Sequence, residues 1–188
     1  MIKVAIAGAA GRMGRELVEA ITHSESDIAV SVATVCADDP ALGVDVGLLA
    51  VGSALGVETV AELDSVLDDF DVLIDFTTPE ATLQHLALCQ QNRKAMVIGT
   101  TGFSESQHQR IANSGETIPI VFAPNMSIGV NLCFNLLEQA ARVLGDDVDI
   151  EIIEAHHRHK KDAPSGTALK MGEIVAQALD RNLQQVAL

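Results

Sequence analysis

The chain has 188 residues, enough for one substantial domain and part of a second, and carries 12 Lys and Arg against 26 Asp and Glu, a formal net charge of -14 at pH 7. That balance excludes a protein working on DNA, RNA or an anionic membrane surface, partners that demand basic surface. No apolar run approaches the roughly 18 to 20 residues that span a bilayer, and Cys36, Cys89 and Cys133 are widely spaced without a C-x-x-C pair, so the expectation is a soluble cytoplasmic protein with reduced thiols and no zinc site.

In chain order, residues 2–7 and 28–35 are short, apolar and partly β-branched, and residues 11–22 between them place Met13, Leu17, Val18 and Ile21 at helical spacing. This is a βαβ unit. The N-terminal run starts like a signal peptide but meets a glycine-rich turn where a cleavage site would lie, and reads as a buried strand. Residues 37–56, rich in Gly, Ala and Asp, are the least structured stretch. Strands are predicted at 71–76, 95–98 and 119–123, with helices from Pro79 to Gln91 and over 105–113. Together these give the rhythm of a doubly wound parallel sheet, a Rossmann-like α/β domain over residues 1–126.

A second domain is expected over 127–188. Ser127 caps a helix that Gly145 stops, residues 148–155 alternate as a strand, and residues 165–181 form an amphipathic helix through Leu169, Met171, Ile174, Val175 and Leu179. One strand cannot close a sheet, so this α+β unit is expected to be incomplete, finished by another subunit or by further chain.

Two stretches carry chemistry. Gly8-Ala9-Ala10-Gly11-Arg12-Met13-Gly14 follows a strand and opens a helix, the setting in which backbone amides at a helix N-terminus hold a pyrophosphate. Its spacing is G-x-x-G-x-x-G rather than G-x-G-x-x-G, so the bare pattern also fits a plain strand-to-helix turn. About 20 residues on, where an acidic residue would hold the ribose, stands Thr34-Val35-Cys36-Ala37-Asp38-Asp39. No Lys or Arg occurs from Glu16 to Asn92, leaving Arg12 or Arg15 as partners for a 2'-phosphate; NADH is favoured over NADPH.

The second stretch, 154–168, is E-A-H-H-R-H-K-K-D-A-P-S-G-T-A. Three histidines and three fixed cations supply proton donors near neutral pH and positive charge for a dianion. After Pro164, residues Ser165, Gly166 and Thr167 present amides and hydroxyls at a helix start, suited to a carboxylate. A solvated basic loop before a capped helix is the plain alternative. The histidine spacing supports no metal site.

That fifteen-residue run closely resembles the signature of the 4-hydroxy-tetrahydrodipicolinate reductases. The stretches V-A-I-A-G-A-A-G-R-M-G (4–14), D-F-T-T-P (75–79), V-I-G-T-T-G-F (97–103) and A-P-N-M-S (123–127) resemble the same family. The resemblance implies NADH- or NADPH-dependent reduction of a cyclic dicarboxylate on the diaminopimelate route to lysine, by a homotetramer if the chain were complete. It implies His156 as proton donor or acceptor and Lys160 as proton donor. His157, Ser165, Gly166, Thr167 and Thr101 would bind substrate. Gly8, Ala9, Ala10, Gly11, Arg12, Met13, Cys36, Gly99, Thr100, Thr101, Ala123, Pro124, Asn125 and Met126 would line the dinucleotide.

Two departures stand out. Cys36 and Ala37 replace an acidic residue and an Arg common in the family, and the family continues for roughly another 80 residues, a two-domain length. The chain is therefore expected to be a fragment or a shortened relative. The competing readings are a non-catalytic dinucleotide-binding module of the same fold and another small-acid dehydrogenase, against which the long signature argues.

Overall fold

The computed structural model describes residues 1–156, 158, 160 and 163–187. The chain divides into two compact units, Met1–Phe122 and Ala123–Leu188.

In the first unit β1 (Ile2–Ala7), α1 (Arg12–Thr22) and β2 (Ile28–Thr34) form the expected opening βαβ. There follow α2 (Val46–Ala50), β3 (Thr59–Val60), β4 (Val72–Asp75), α3 (Pro79–Gln91), β5 (Ala95–Ile98), α4 (Glu105–Ser114) and β6 (Ile120–Phe122). All the ladders are parallel and the strand order is β3-β2-β1-β4-β5-β6. Successive side chains of a strand point to opposite faces, and β1 obeys this: Val4 and Ile6 enter a core with Val18, Ile21 and Val46, whereas Ala5 and Ala7 enter another with Leu73, Leu86, Met96, Ile98 and Ile111. Burial on both faces explains why these strands read as near-continuous apolar runs. The doubly wound parallel sheet is thus present as expected.

The stretch 37–56 is more ordered than expected. Asp45 organises it, its carboxylate accepting from the amides of Gly47 (2.8 Å), Leu55 (2.9 Å) and Gly56 (2.7 Å), and α2 starts directly after it. A short polar residue taking three backbone donors supplies what an apolar pattern would otherwise supply.

In the second unit α5 (Ile128–Leu144) is capped by Ser127, whose hydroxyl accepts from the Val130 amide, and ends at Gly145, where φ is +58°. It packs on α6 (Gly166–Ala178), and α7 (Leu183–Val186) closes against Gly172, where an added Cβ would lie 3.0 Å from Leu183 Cδ1. Two expectations need correction. Residues 148–155 form no strand: Val148 is extended, but a strand exists only with a hydrogen-bonding partner, and none pairs with this segment among the described residues. The helix expected to reach Arg181 stops at Ala178, because Asp180 turns left-handed (φ +53°) and the Arg181 amide donates back to the Ala176 carbonyl at 2.7 Å.

Candidate functional site

Strand order reverses about β1, whose neighbours are β2 on one side and β4 on the other; beyond the carboxyl ends of β1 and β4 lies the crevice where open α/β sheets bind ligands. The glycine turn stands there. Gly8 takes φ +66°, and a Cβ on it would come 3.0 Å from Thr77 Cγ2 of the next strand's end. A Cβ on Gly11 would lie 3.1 Å from the Gly8 carbonyl oxygen, and one on Gly14 would collide with that oxygen at 2.4 Å. Gly11 caps α1 without a side chain, so no side-chain oxygen occupies the first amides of the helix. A close-packed glycine turn with an uncapped helix start fits a dinucleotide pyrophosphate.

Ala9 is fully buried and its amide holds the Thr34 carbonyl at 2.9 Å, fixing the turn to β2, while Arg12 and Met13 are exposed. The Arg15 Nε donates to the Ala10 carbonyl at 2.9 Å, which draws that cation back onto the turn. At the end of β2 the Cys36 thiol is exposed, and the Asp39 carboxylate accepts from the Ala41 amide at 2.8 Å.

The ends of β4 and β5 contribute Phe76 to Thr78 and Gly99 to Thr101. Gly99 lies against Phe76, where a Cβ would sit 2.0 Å from ring Cε1. Thr100 is buried and Thr101 exposed. The centre of this edge is a residue that sequence reasoning did not single out. Asp75, fully buried, accepts on Oδ1 from the Thr77 amide (3.0 Å), the Thr77 hydroxyl (2.6 Å) and the Thr82 hydroxyl (3.1 Å), and pairs through Oδ2 with His85 Nδ1 at 2.7 Å. Burial pushes its carboxyl up, but hydrogen bonds from His85 and Thr77 outweigh this and hold it below the ordinary value. The available signal was an Asp ending an apolar strand with Thr two and seven residues on and His ten residues on, three separations that α3 folds back together. Burial and the nearby Asp75 charge push the Cys89 thiol up to about 12, which makes it a core residue rather than a nucleophile.

In the second unit, Ser165, Gly166 and Thr167 start α6, Ser165 as the buried cap whose hydroxyl accepts from the Ala168 amide at 3.0 Å. Glu154 links this helix start to the basic turn. Its carboxylate accepts from the Ser165 amide at 2.8 Å on one oxygen and meets His156 Nε2 at 2.8 Å with the other. The Ser165 hydroxyl and amide, ahead of His156, hold the Glu154 carboxyl down at about 2. The resemblance assigned Glu154, the first residue of that run, no role, yet it is the residue that joins the two. Lys160 is half-buried, whereas His157, like His159 and Lys161, lies outside the described residues. Ala123, Pro124, Asn125 and Met126 belong to this unit, where Asn125 Oδ1 accepts from the Ser127 amide (2.9 Å) and the Asn125 carbonyl from Asn131 Nδ2 (3.0 Å), fixing the entry to α5. Among the described residues no group of His, Cys, Asp or Glu could hold a metal ion, and no helix is long and apolar enough to cross a membrane.

Comparison with known proteins agrees with both halves. Residues 2–126 match the family model for the N-terminus of dihydrodipicolinate reductase and residues 129–187 that for its C-terminus. A dihydrodipicolinate reductase from Paenisporosarcina sp. TG-14, solved with dipicolinate bound, superposes with a TM-score of 0.75 at 34% identity, over 95% of this chain and 66% of that one. The chain therefore spans just under two thirds of that relative's length. More distant structures share only the fold. They include the WlbA dehydrogenase from Chromobacterium violaceum in complex with NADH and UDP-GlcNAcA (TM-score 0.58, 16% identity, 76% of this chain and 40% of that one) and myo-inositol 2-dehydrogenase from Lactobacillus plantarum (0.55, 11%, 74% and 41%). With both family models matched across nearly all its residues and one reductase structure superposing along 95% of its length, the chain belongs to the dihydrodipicolinate reductase family.

Proposed function

We propose that this protein reduces 4-hydroxy-tetrahydrodipicolinate with a nicotinamide dinucleotide, in the diaminopimelate route to lysine, as a soluble cytoplasmic homotetramer. The observation that carries the reading is the hydrogen-bonded path from His156 through Glu154 to Ser165, which holds a proton-transferring group beside a helix start suited to a carboxylate.

The bound dinucleotide would supply hydride. Gly8 to Met13 and the uncapped start of α1 hold its pyrophosphate, and Gly99, Thr100 and Thr101 line it further along the sheet edge. Ala123, Pro124, Asn125 and Met126 are assigned to the same ligand by the family motif. The Gly166 and Thr167 amides, His157 and Thr101 receive the dicarboxylate, with Ser165 setting the helix start. Lys160 donates the proton that accompanies hydride, the 4-hydroxyl group leaves as water to give tetrahydrodipicolinate, and His156 exchanges a proton with the substrate while Glu154 fixes its ring. No metal is required by this scheme.

NADH is the favoured cofactor. Cys36 and Ala37, just beyond β2, bring no fixed cation, Asp38 and Asp39 follow, and Arg15 is drawn back to Ala10, which leaves Arg12 as the one cation of the turn for a 2'-phosphate and favours an unmodified ribose.

The test follows loss of the reduced nicotinamide absorbance with freshly generated substrate, beside Lys160→Ala. Substrate-dependent oxidation that disappears in the variant establishes the reductase. A folded protein that binds NADH without turnover is instead a dinucleotide-binding module; the unpaired segment 148–155, which leaves the substrate unit without a sheet among the described residues, favours this second reading.

A further inference from the structure

The Asp75 carboxylate is fully buried at the carboxyl edge of the sheet, yet nothing in the proposed chemistry uses it. Its register explains its reach: Asp75 lies opposite Ala7 on β1 and Ile98 on β5, so it is the last β4 residue before the crevice and touches both flanking strand ends. Around it the hydrogen bonds run between loops. The Thr77 amide donates to Thr100 Oγ at 2.9 Å, the Thr82 hydroxyl reaches Thr100 Oγ at 2.9 Å and Asp75 Oδ1 at 3.1 Å, and the Thr77 hydroxyl donates to Asp75 Oδ1 at 2.6 Å. An ionised carboxylate only accepts, so it fixes the direction of these hydroxyls and binds residues 76–78 to 99–101. Thr77 in turn lies beneath Gly8.

The ligand's course over this edge follows from the topology. With the pyrophosphate at the start of α1 and the adenosine ribose at the end of β2, the other half of a dinucleotide must run the opposite way, across the ends of β4 and β5. We propose that Asp75, backed by Thr82 and His85, is a positioning residue for the nicotinamide half of the cofactor, holding Thr77, Gly99 and Thr100 in the arrangement that receives it. This rests on the dinucleotide-binding reading. Asp75 itself lies a layer beneath the ligand and acts through the threonines.

Asp75→Asn tests this with little change of volume. The amide can keep its oxygen on the threonine hydroxyls and the Thr77 amide only by turning its NH2 group to His85, which must then accept at Nδ1 instead of donating, and in either orientation charge-assisted hydrogen bonds give way to neutral ones of about half the strength. Calorimetric titration with NADH and with ADP-ribose separates the two halves of the site, since ADP-ribose keeps adenosine and pyrophosphate but lacks nicotinamide. The expected result is a dissociation constant for NADH raised about tenfold, about 1.4 kcal/mol, with that for ADP-ribose changed by less than about twofold. Thr82→Val, isosteric and equally remote from the ligand, should show the same selectivity in smaller measure, and serves if Asp75→Asn does not fold. Equal losses for both ligands would reveal general structural damage, and no loss for NADH would leave the network without influence; either overturns the proposal. Wild-type protein that binds neither ligand overturns the dinucleotide reading, and this inference with it.

Discussion

Gly14, in the first turn of α1, packs so tightly over the carbonyl of Gly8 that a Cβ placed on it would stand 2.4 Å from that oxygen and 2.6 Å from Ala9 Cα. Both obstacles are backbone, so neither can rotate away. The third glycine of the turn is therefore required for helix-to-strand packing, while Gly8, at φ +66°, is required for the turn itself.

Gly14→Ala is accordingly expected to cost about 1 to 3 kcal/mol of stability and to weaken NADH and ADP-ribose binding together, because it shifts the pyrophosphate seat common to both. The chain has no Trp or Tyr, so far-ultraviolet circular dichroism in urea, rather than intrinsic fluorescence, is the appropriate measurement. A lower midpoint with unchanged slope checks the stability part.

Glu154 gives a prediction with a definite sign. Its carboxyl, ordinarily at 4.5, is held at about 2 by Ser165 and His156, so the folded state binds its proton less readily than the unfolded state does. The contribution of this contact is fully present above 4.5 and is lost as pH falls from there through about 2. Ser165→Ala removes the hydroxyl, the largest cause of the depression, and should move the Glu154 titration up towards 4.5, as read from its side-chain carboxyl carbon by NMR. An unchanged titration would mean that the Ser165 amide and His156 suffice.

The first unit was legible in the sequence because each strand and helix carries its own signal: apolar β-branched runs, Pro79 opening α3, a glycine turn between β1 and α1. What escaped depends on partners distant in sequence. Asp45 holds Leu55 and Gly56, ten and eleven residues on, and no local propensity announces such a loop. Asp75 acts with Thr82, His85 and Thr100, which meet only once α3 has folded back and β5 has paired with β4. Residues 148–155 failed in the opposite way. Alternation is a local pattern, whereas a strand is a relation between two segments, and Ile153 remains exposed without one. In the basic turn the residue types were readable, but the link from Glu154 to Ser165 spans eleven residues and emerged only from the geometry.

A second packing relation at the crevice can be tested by compensation. Gly99 leaves room for Phe76, and a Cβ there would overlap three ring atoms at 2.0 to 2.5 Å. Here the obstacle is a side chain, so Gly99→Ala should displace the ring rather than break the backbone. The expected cost is about 1 to 3 kcal/mol, with weaker NADH binding. Adding Phe76→Leu should recover part of the stability, and a double-mutant cycle in urea measures that recovery as a coupling energy of at least about 0.5 kcal/mol. Additive effects would show that the two residues do not compete for the same space.

Cofactor preference can be moved at the end of β2. Ala37 is exposed beyond β2, after Val35 and Cys36, and the nearest basic groups in sequence, Arg12 and Arg15, both belong to α1, where Arg15 is drawn to the Ala10 carbonyl. Asp38 and Asp39 follow in the chain, and on the NADH reading the position lacks the cation that a 2'-phosphate calls for. Ala37→Arg supplies a planar donor that can grip a phosphate with two parallel hydrogen bonds. The expected result is a dissociation constant for NADPH lowered about tenfold, with NADH changed by less than about twofold, since the new group has nothing to hold on an unmodified ribose. Titration at two salt concentrations adds a second criterion: a new phosphate contact makes NADPH binding more salt-sensitive while leaving that of NADH nearly unaffected. A variant that tightens both cofactors equally would show instead that the guanidinium acts on the pyrophosphate, and that residue 37 does not face the 2' position.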